Sequence, residues 1–154
     1  MARCQAAVIA MPLRLATLAD IDAMHQLRLS VQENMLADPK RVVPEHYAPM
    51  LERHGRGWVY ELEGTIVGFG VADHSRRNIW ALFVDPAFES RGIGRALHDA
   101  MVSWLFENGS ERLWLTTEPN TRAEHFYSTA GWRRVGTETN GELRFELPAA
   151  PRLP

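Results

Sequence analysis

The sequence predicts an α/β domain built on a mixed, mainly antiparallel β-sheet with about four helices packed against it. Aromatic and β-branched runs stand back to back around turn residues in the middle and at the end of the chain, and such pairs fold as antiparallel hairpins. Amphipathic stretches with apolar residues at helical spacing lie before and between them. No repeat, low-complexity block or long linker divides the chain, so these pieces are expected to form one domain over residues 11–148.

Residues 1–10 read as a disordered leader or the product of an upstream start codon, and 149–154 as a tail. Pro12 to Leu15 is a short strand. Thr17-Leu18-Ala19-Asp20 has capping-box spacing with Asp in the acidic place, so a helix should run to about Asn34 and end at Asp38-Pro39. Its apolar positions Ile21, Met24, Leu27, Val31 and Met35 share one side, which puts His25, Arg28 and Glu33 nearer the rim. A shorter helix is expected from Pro44 to Arg53, because proline suits a first turn, with Gly55 and Gly57 closing the segment. Trp58 to Leu62 and Thr65 to Ala72 flank Glu63-Gly64 as a hairpin, and Asn78 to Val84 extends the meander after a polar turn. From Gly92 to about Asn108, positions Ile93, Leu97, Met101, Trp104 and Leu105 mark an amphipathic helix with Gly109 as its stop. A strand over Arg112 to Thr117 and a helix over Thr121 to Ala130, with Asn120 as N-cap, come next. The last hairpin joins Trp132 to Glu138 and Glu142 to Leu147 through Asn140-Gly141, which tolerates the positive φ of a tight turn.

With 154 residues, 45% of them apolar, the chain can bury one proper core. Lys and Arg number 17 against 19 Asp and Glu, and the net charge of -2 supplies no broad basic field for nucleic acid. Cys4 stands alone, which excludes an intrachain disulfide and a cysteine zinc cluster and suits a reducing compartment. The apolar stretch Ala6 to Met11 is too short for a signal-peptide core or a bilayer span, so a cytoplasmic protein without membrane contact is expected. His25, His54, His74, His98 and His125 show no metal-ligand spacing, and no metal is implied.

The segment that carries chemistry is Val84-Asp85-Pro86-Ala87-Phe88-Glu89-Ser90-Arg91-Gly92-Ile93-Gly94-Arg95-Ala96-Leu97, a strand running through a loop into a helix. Glycine lets a ligand approach the backbone, and a helix start offers unpaired N–H donors at the positive end of its dipole. Phosphate suits that place, and Arg91 and Arg95 add positive charge beside it. Gly94 lacks the Lys and Ser or Thr that follow in a nucleoside-triphosphate loop. Leu97 stands where a dinucleotide fingerprint wants Gly or Ala. On glycine spacing alone, an ordinary turn with two solvated arginines fits equally well.

Taken with Asn120, Ala123, Phe126, Tyr127, Gly131 and Trp132, this segment resembles the GNAT superfamily of coenzyme A-dependent N-acetyltransferases, over roughly Leu13 to Leu147. The resemblance implies a GNAT-like fold and acetyl-coenzyme A (acetyl-CoA) as co-substrate. It places the coenzyme on Glu89, Ser90, Arg91, Gly92, Ile93, Gly94 and Arg95, and farther on at Asn120, Ala123, Phe126 and Tyr127. The family loop reads Gln or Arg, two residues, Gly, one residue, then Gly or Ala. Gly92 and Gly94 fit that pattern and Glu89 departs from it. The main chain of Leu82, Phe83 and Val84 is implied to pair with the pantetheine arm as an added strand, which asks for backbone and not for particular side chains.

The resemblance also makes Tyr127 the general acid, a phenol that protonates the departing thiolate. The base is less defined. Histone-type relatives use a glutamate on the central strand, whereas this chain has Asn78 near that place and no carboxylate from Arg76 to Val84. Glu118 is the residue chosen, with Glu33 and His46 as alternatives. Acceptor specificity is expected in roughly Glu33 to Tyr47, where Glu33 and Tyr47 would attract a cationic amine by charge and aromatic face. The resulting expectation is an acetyl-CoA-dependent N-acyltransferase acting on a small-molecule or peptide amine. A non-catalytic acyl-CoA sensor is the alternative, and a homodimer is left open.

Overall fold

The computed structural model describes residues 11–31 and 42–150. Seven strands, β1 (Leu13–Leu15), β2 (Gly55–Leu62), β3 (Thr65–Asp73), β4 (Asn78–Val84), β5 (Arg112–Thr117), β6 (Arg133–Thr137) and β7 (Leu143–Pro148), form one sheet in the order β1-β2-β3-β4-β5-β7-β6. Neighbours pair antiparallel except β4 and β5, which are parallel. Helix α1 (Ile21–Val31) and the short α2 (Tyr47–Pro49) pack on one face. Helices α3 (Ile93–Glu107) and α4 (Arg122–Thr129) pack on the other. The mixed, mainly antiparallel sheet with helices packed against it agrees with the sequence reading.

The central strand β3 decides how closely α3 can lie. A Cβ on Gly68 would stand 3.0 Å from both Ile93 and Leu97, and one on Gly70 would stand 2.7 Å from the Met101 Cε. Both glycines therefore leave room for α3 to press its buried stripe of Ile93, Leu97, Met101 and Leu105 onto the sheet. On the opposite face Phe69 and Val71 join Met24, Leu27, Tyr47 and Val59 in a second core.

A bulge breaks the alternation of β4. Val71 pairs with Ala81 and the next residue, Ala72, pairs with Ile79, so Trp80 is the extra residue. Trp80 and Ala81 consequently both join the α1 and α2 side, while Ile79, Leu82 and Val84 join the α3 and α4 side.

The start of the chain follows the expected capping chemistry. The Thr17 N–H donates to Asp20 Oδ2 at 2.8 Å, closing one half of the box around a single 3-10 turn, Leu18–Asp20, that leads into α1. The Arg14 guanidinium grips both oxygens of Asp20 at 2.9 Å and holds this carboxyl below its ordinary pKa. The expected end of this helix near Asn34, with Met35, Asp38 and Pro39, lies outside the described residues.

Several local expectations are corrected. His25 and Arg28 are buried rather than at the rim, because Tyr47, Trp80 and Phe83 close over that side of α1. The second helix is a composite of a 3-10 turn (Pro44–His46), α2 and a π turn (Met50–His54). Gly55 and Gly57 do not close it into a loop; they belong to β2, where a Cβ on Gly55 would overlap the Ala72 carbonyl oxygen. In the last hairpin only Gly141 takes a positive φ, 91°, and the Gly141 N–H donates to the Glu138 carbonyl at 2.9 Å. That geometry is a turn closed by one left-handed glycine rather than a two-residue turn.

The glycines yield a graded test. Gly55→Ala forces backbone against backbone and should cost about 3 kcal/mol. Gly64→Ala meets nothing within 4 Å and strains only a φ of 80°, for about 1 kcal/mol. Urea denaturation of the two variants should reproduce that order, and equal losses would contradict the packing at Gly55.

Candidate functional site

The parallel pair β4 and β5 makes one register contact, Asn78 with Trp114. Two further bonds stand beside it, the Trp114 N–H to the Arg77 carbonyl at 3.1 Å and the Trp114 indole N–H to the Arg76 carbonyl at 2.8 Å. Beyond that point the strands separate, and β5 spends its other edge on β7. The edge of β4 toward β5, including Leu82, Phe83 and Val84, is thus left without a strand partner. A chain-like ligand could add to it by backbone hydrogen bonds.

The wedge opens toward the carboxyl ends of both strands, where two helices begin. After β4, the loop contains left-handed Ser90 (φ 63°) and Gly92 (φ 81°), the latter as the N-cap of α3. The first intrahelical bond there runs from the Ala96 N–H to the Gly92 carbonyl at 3.0 Å, so the amides of Ile93, Gly94 and Arg95 have no helical acceptor. No acidic residue occupies that first turn. Space above Gly92 is open to 4 Å, whereas a Cβ on Gly94 would sit 3.6 Å from both Phe126 and Val84. Gly92 is therefore required by φ, whereas at Gly94 a Cβ would make only ordinary contacts with α4 and β4. Arg91 lies over the Phe88 ring at 5.1 Å and Arg95 pairs with Asp99 at 3.1 Å. Glu89 forms an ion pair with Arg122 at the start of α4 and so ties the two helix starts together across the wedge.

Helix α4 is capped one residue later than expected. Asn120 is left-handed (φ 61°) with its N–H on Glu124 Oε2 at 2.8 Å, and Thr121, in extended geometry, accepts the Glu124 N–H at 3.3 Å. Ala123 and Phe126 pack at the margin of the core, and Tyr127 is buried within it. The Tyr127 hydroxyl makes no hydrogen bond to a described residue, and burial raises its pKa above the ordinary 10.0, so the phenol keeps its proton at neutral pH. Its ring is fenced edge-on by Phe126 at 5.2 Å and Trp132 at 5.6 Å.

His98 completes that cage and was not singled out from sequence as part of the site. Trp132 Nε1 donates to His98 Nε2 at 2.9 Å, so the ring proton sits on Nδ1, 2.8 Å from Asp99 Oδ1. A histidine one place after Leu97, on the side of α3 that meets the Gly131-Trp132 turn, was the available signal.

The acceptor side shows a different balance. Tyr47 has no exposed surface, with its hydroxyl 3.2 Å from His25 Nδ1 and its ring against Phe69 and Trp80, so it lies in the core of this face. Beside it a cavity of about 600 Å³ is lined by Glu45, His46, Met50, Asp73, Arg76 and Trp80 among others. The aromatic side chain that lines it is Trp80. Glu118 is exposed at the end of β5 and its carbonyl accepts from Thr121 Oγ1 at 2.7 Å; Glu33 lies outside the described residues. Among the described residues no group of His, Cys, Asp and Glu could hold a metal ion, and no helix is long and apolar enough to cross a membrane.

A sequence model of the acetyltransferase (GNAT) family matches residues 21–132. A mycothiol acetyltransferase of Propionibacterium freudenreichii is 43% identical over 82 residues, 49% of this chain, which spans only 26% of that protein's length. A ribosomal protein bS18-alanine N-acetyltransferase of Haemophilus ducreyi is 26% identical over 64% of this chain and 72% of its own. Among solved structures, Rv2747 of Mycobacterium tuberculosis in complex with CoA and NLQ superposes with a TM-score of 0.70 at 18% identity, covering 90% of this chain and 99% of that one.

The His98 cage predicts a pH signature. Burial lowers the His98 pKa below its ordinary 6.5, so the unfolded chain takes up the proton first as pH falls. The contribution of His98 to stability is complete above pH 6.5 and is lost as pH falls through the lower folded value. The thermal midpoint should therefore drop between about pH 7.5 and about pH 5.5 by more in the native chain than in His98→Gln. Parallel curves would show that the ring titrates freely.

Proposed function

The chain belongs to the acetyltransferase (GNAT) family, and on that premise we propose that it is an N-acyltransferase that carries an acetyl group from acetyl-CoA to a small-molecule or peptide amine. The observation that carries this reading is the wedge between β4 and β5, which ends at the unpaired amides of α3. An extended thioester arm and an anionic headgroup need that combination. The free edge of Leu82, Phe83 and Val84 would hold the arm. The amides of Gly92, Ile93, Gly94 and Arg95, with the charges of Arg91 and Arg95, would hold the diphosphate.

The remaining chemistry falls to the acceptor and Tyr127. An acceptor nitrogen, once deprotonated, forms a C–N bond at the thioester carbonyl carbon, and the C–S bond breaks. Tyr127 gives its proton to the leaving sulfur, and the proton lost by the nitrogen restores the phenol through solvent. Tyr127 suits the acid role because it is protonated, its hydroxyl is uncommitted, and its ring is held on three sides by Phe126, Trp132 and His98.

Thiol release from acetyl-CoA with pooled amines tests the reading. Tyr127→Phe should lower kcat about 10²-fold with little change in the KM for acetyl-CoA. Gly92→Asp strains a φ of 81° and sets a carboxylate beside the amides. It should weaken acetyl-CoA binding about tenfold or more. Amine-dependent release that both variants leave untouched would remove Tyr127 and the α3 start from the site. Binding without release under any amine would make the chain an acyl-CoA-binding module instead.

A further inference from the structure

The cavity on the α1 and α2 face has no assigned occupant, and its walls describe one. Asp73 is only 4% exposed, yet it lines this space. Its Oδ1 accepts from Ser75 Oγ at 2.6 Å and from the Arg76 N–H at 3.1 Å, whereas its Oδ2 has no partner among the described residues. That second oxygen is not among the fully enclosed atoms, so it is open to a cation that enters the cavity. Asp73 pairs across the strands with Asn78, so both project to the same face of the sheet as Trp80, about 7 Å farther along β4. The Asn78 Oδ1 is itself enclosed and without a partner. Glu45 and Asp73 outnumber the single guanidinium of Arg76 around the cavity, and Trp80, Met50 and Pro49 supply its apolar wall. At about 600 Å³ the space suits a small molecule.

We propose that this cavity is the acceptor chamber for a compact alkylamine that enters as its ammonium ion, and that Asp73 binds the attacking nitrogen and takes its proton. The inference rests on the acetyltransferase reading above. The nitrogen passes one proton to Asp73 Oδ2, which frees the lone pair, and the resulting carboxylic acid returns the proton to water through the open side of the cavity. The alkyl portion lies against Trp80, which borders the free edge of β4.

Three measurements test it: equilibrium binding of acetyl-CoA, steady-state kinetics with primary alkylamines, and inhibition by an alkyltrimethylammonium ion, which cannot be acylated. Asp73→Asn preserves the Oδ1 contacts. It should keep acetyl-CoA affinity while kcat/KM for the amine falls about 10²-fold. The quaternary ion should compete with the amine in the native enzyme and bind Asp73→Asn about tenfold more weakly. Glu45→Trp, at an exposed rim position, should raise the amine KM without changing that of acetyl-CoA, and with the competition on the native enzyme it carries the test if Asp73→Asn does not fold. Turnover by Asp73→Asn within about threefold of native, a quaternary ion that fails to compete, or transfer confined to acceptors uncharged at neutral pH such as anilines would overturn the proposal. Absence of acetyl-CoA binding by the native chain would instead defeat the acetyltransferase reading itself.

Discussion

Two parallel strands that touch at Asn78 and Trp114 and then part are the constraint on which the rest of the molecule depends. Backbone groups left unpaired in a sheet interior are costly unless water or a ligand reaches them. The fold supports this opening by completing its surroundings. β3 covers one edge of β4 and β7 covers the outer edge of β5. Helices α3 and α4 then start at the same end of the wedge, so the free strand edge and the unpaired amides of α3 share one surface there, while Tyr127 on α4 is packed in the core.

The precision of that surface comes from small and aromatic residues used in opposite ways. Gly68 and Gly70 bring α3 down onto β3. Phe126 and Trp132 then fix Tyr127 by edge contacts and His98 by a tilted one, with the neutral imidazole bridging an indole N–H and a carboxylate. A tyrosine held in this way loses little freedom when a ligand arrives, which is what preorganisation requires.

Strands, hairpins and α3 were legible in the sequence because their signals are local: β-branched runs around Glu63-Gly64, a helical stripe from Ile93 to Leu105, a glycine where φ must be positive. The family was legible for the same reason, in the spacing of Gly92, Gly94 and Tyr127. What escaped depends on contacts between distant segments. Arg28 reads as a rim residue until Trp80 and Phe83 are placed against its guanidinium. Gly55 reads as a loop former until the Ala72 carbonyl is seen beside it. Tyr47 reads as an aromatic face for an acceptor, and three-dimensional packing turns it inward, so that Trp80 and not Tyr47 lines the cavity on that face. Asp73 belongs to the polar stretch before Asn78, and nothing local there indicates that the residue will be buried against the cavity.

The bulge in β4 has a further meaning for the economy of the sheet. If Trp80 were absent, Ile79 and Ala81 would keep their present partners, Ala72 and Val71, in one unbroken register. Strand pairing therefore has no use for this residue, and its indole serves only the side of the sheet that carries Tyr47, Arg28 and the cavity. Chain length is acting here as a structural variable in its own right: one inserted position gives the strand two consecutive side chains on the same face, and a shortened strand would be a better ladder with one wall fewer for the cavity.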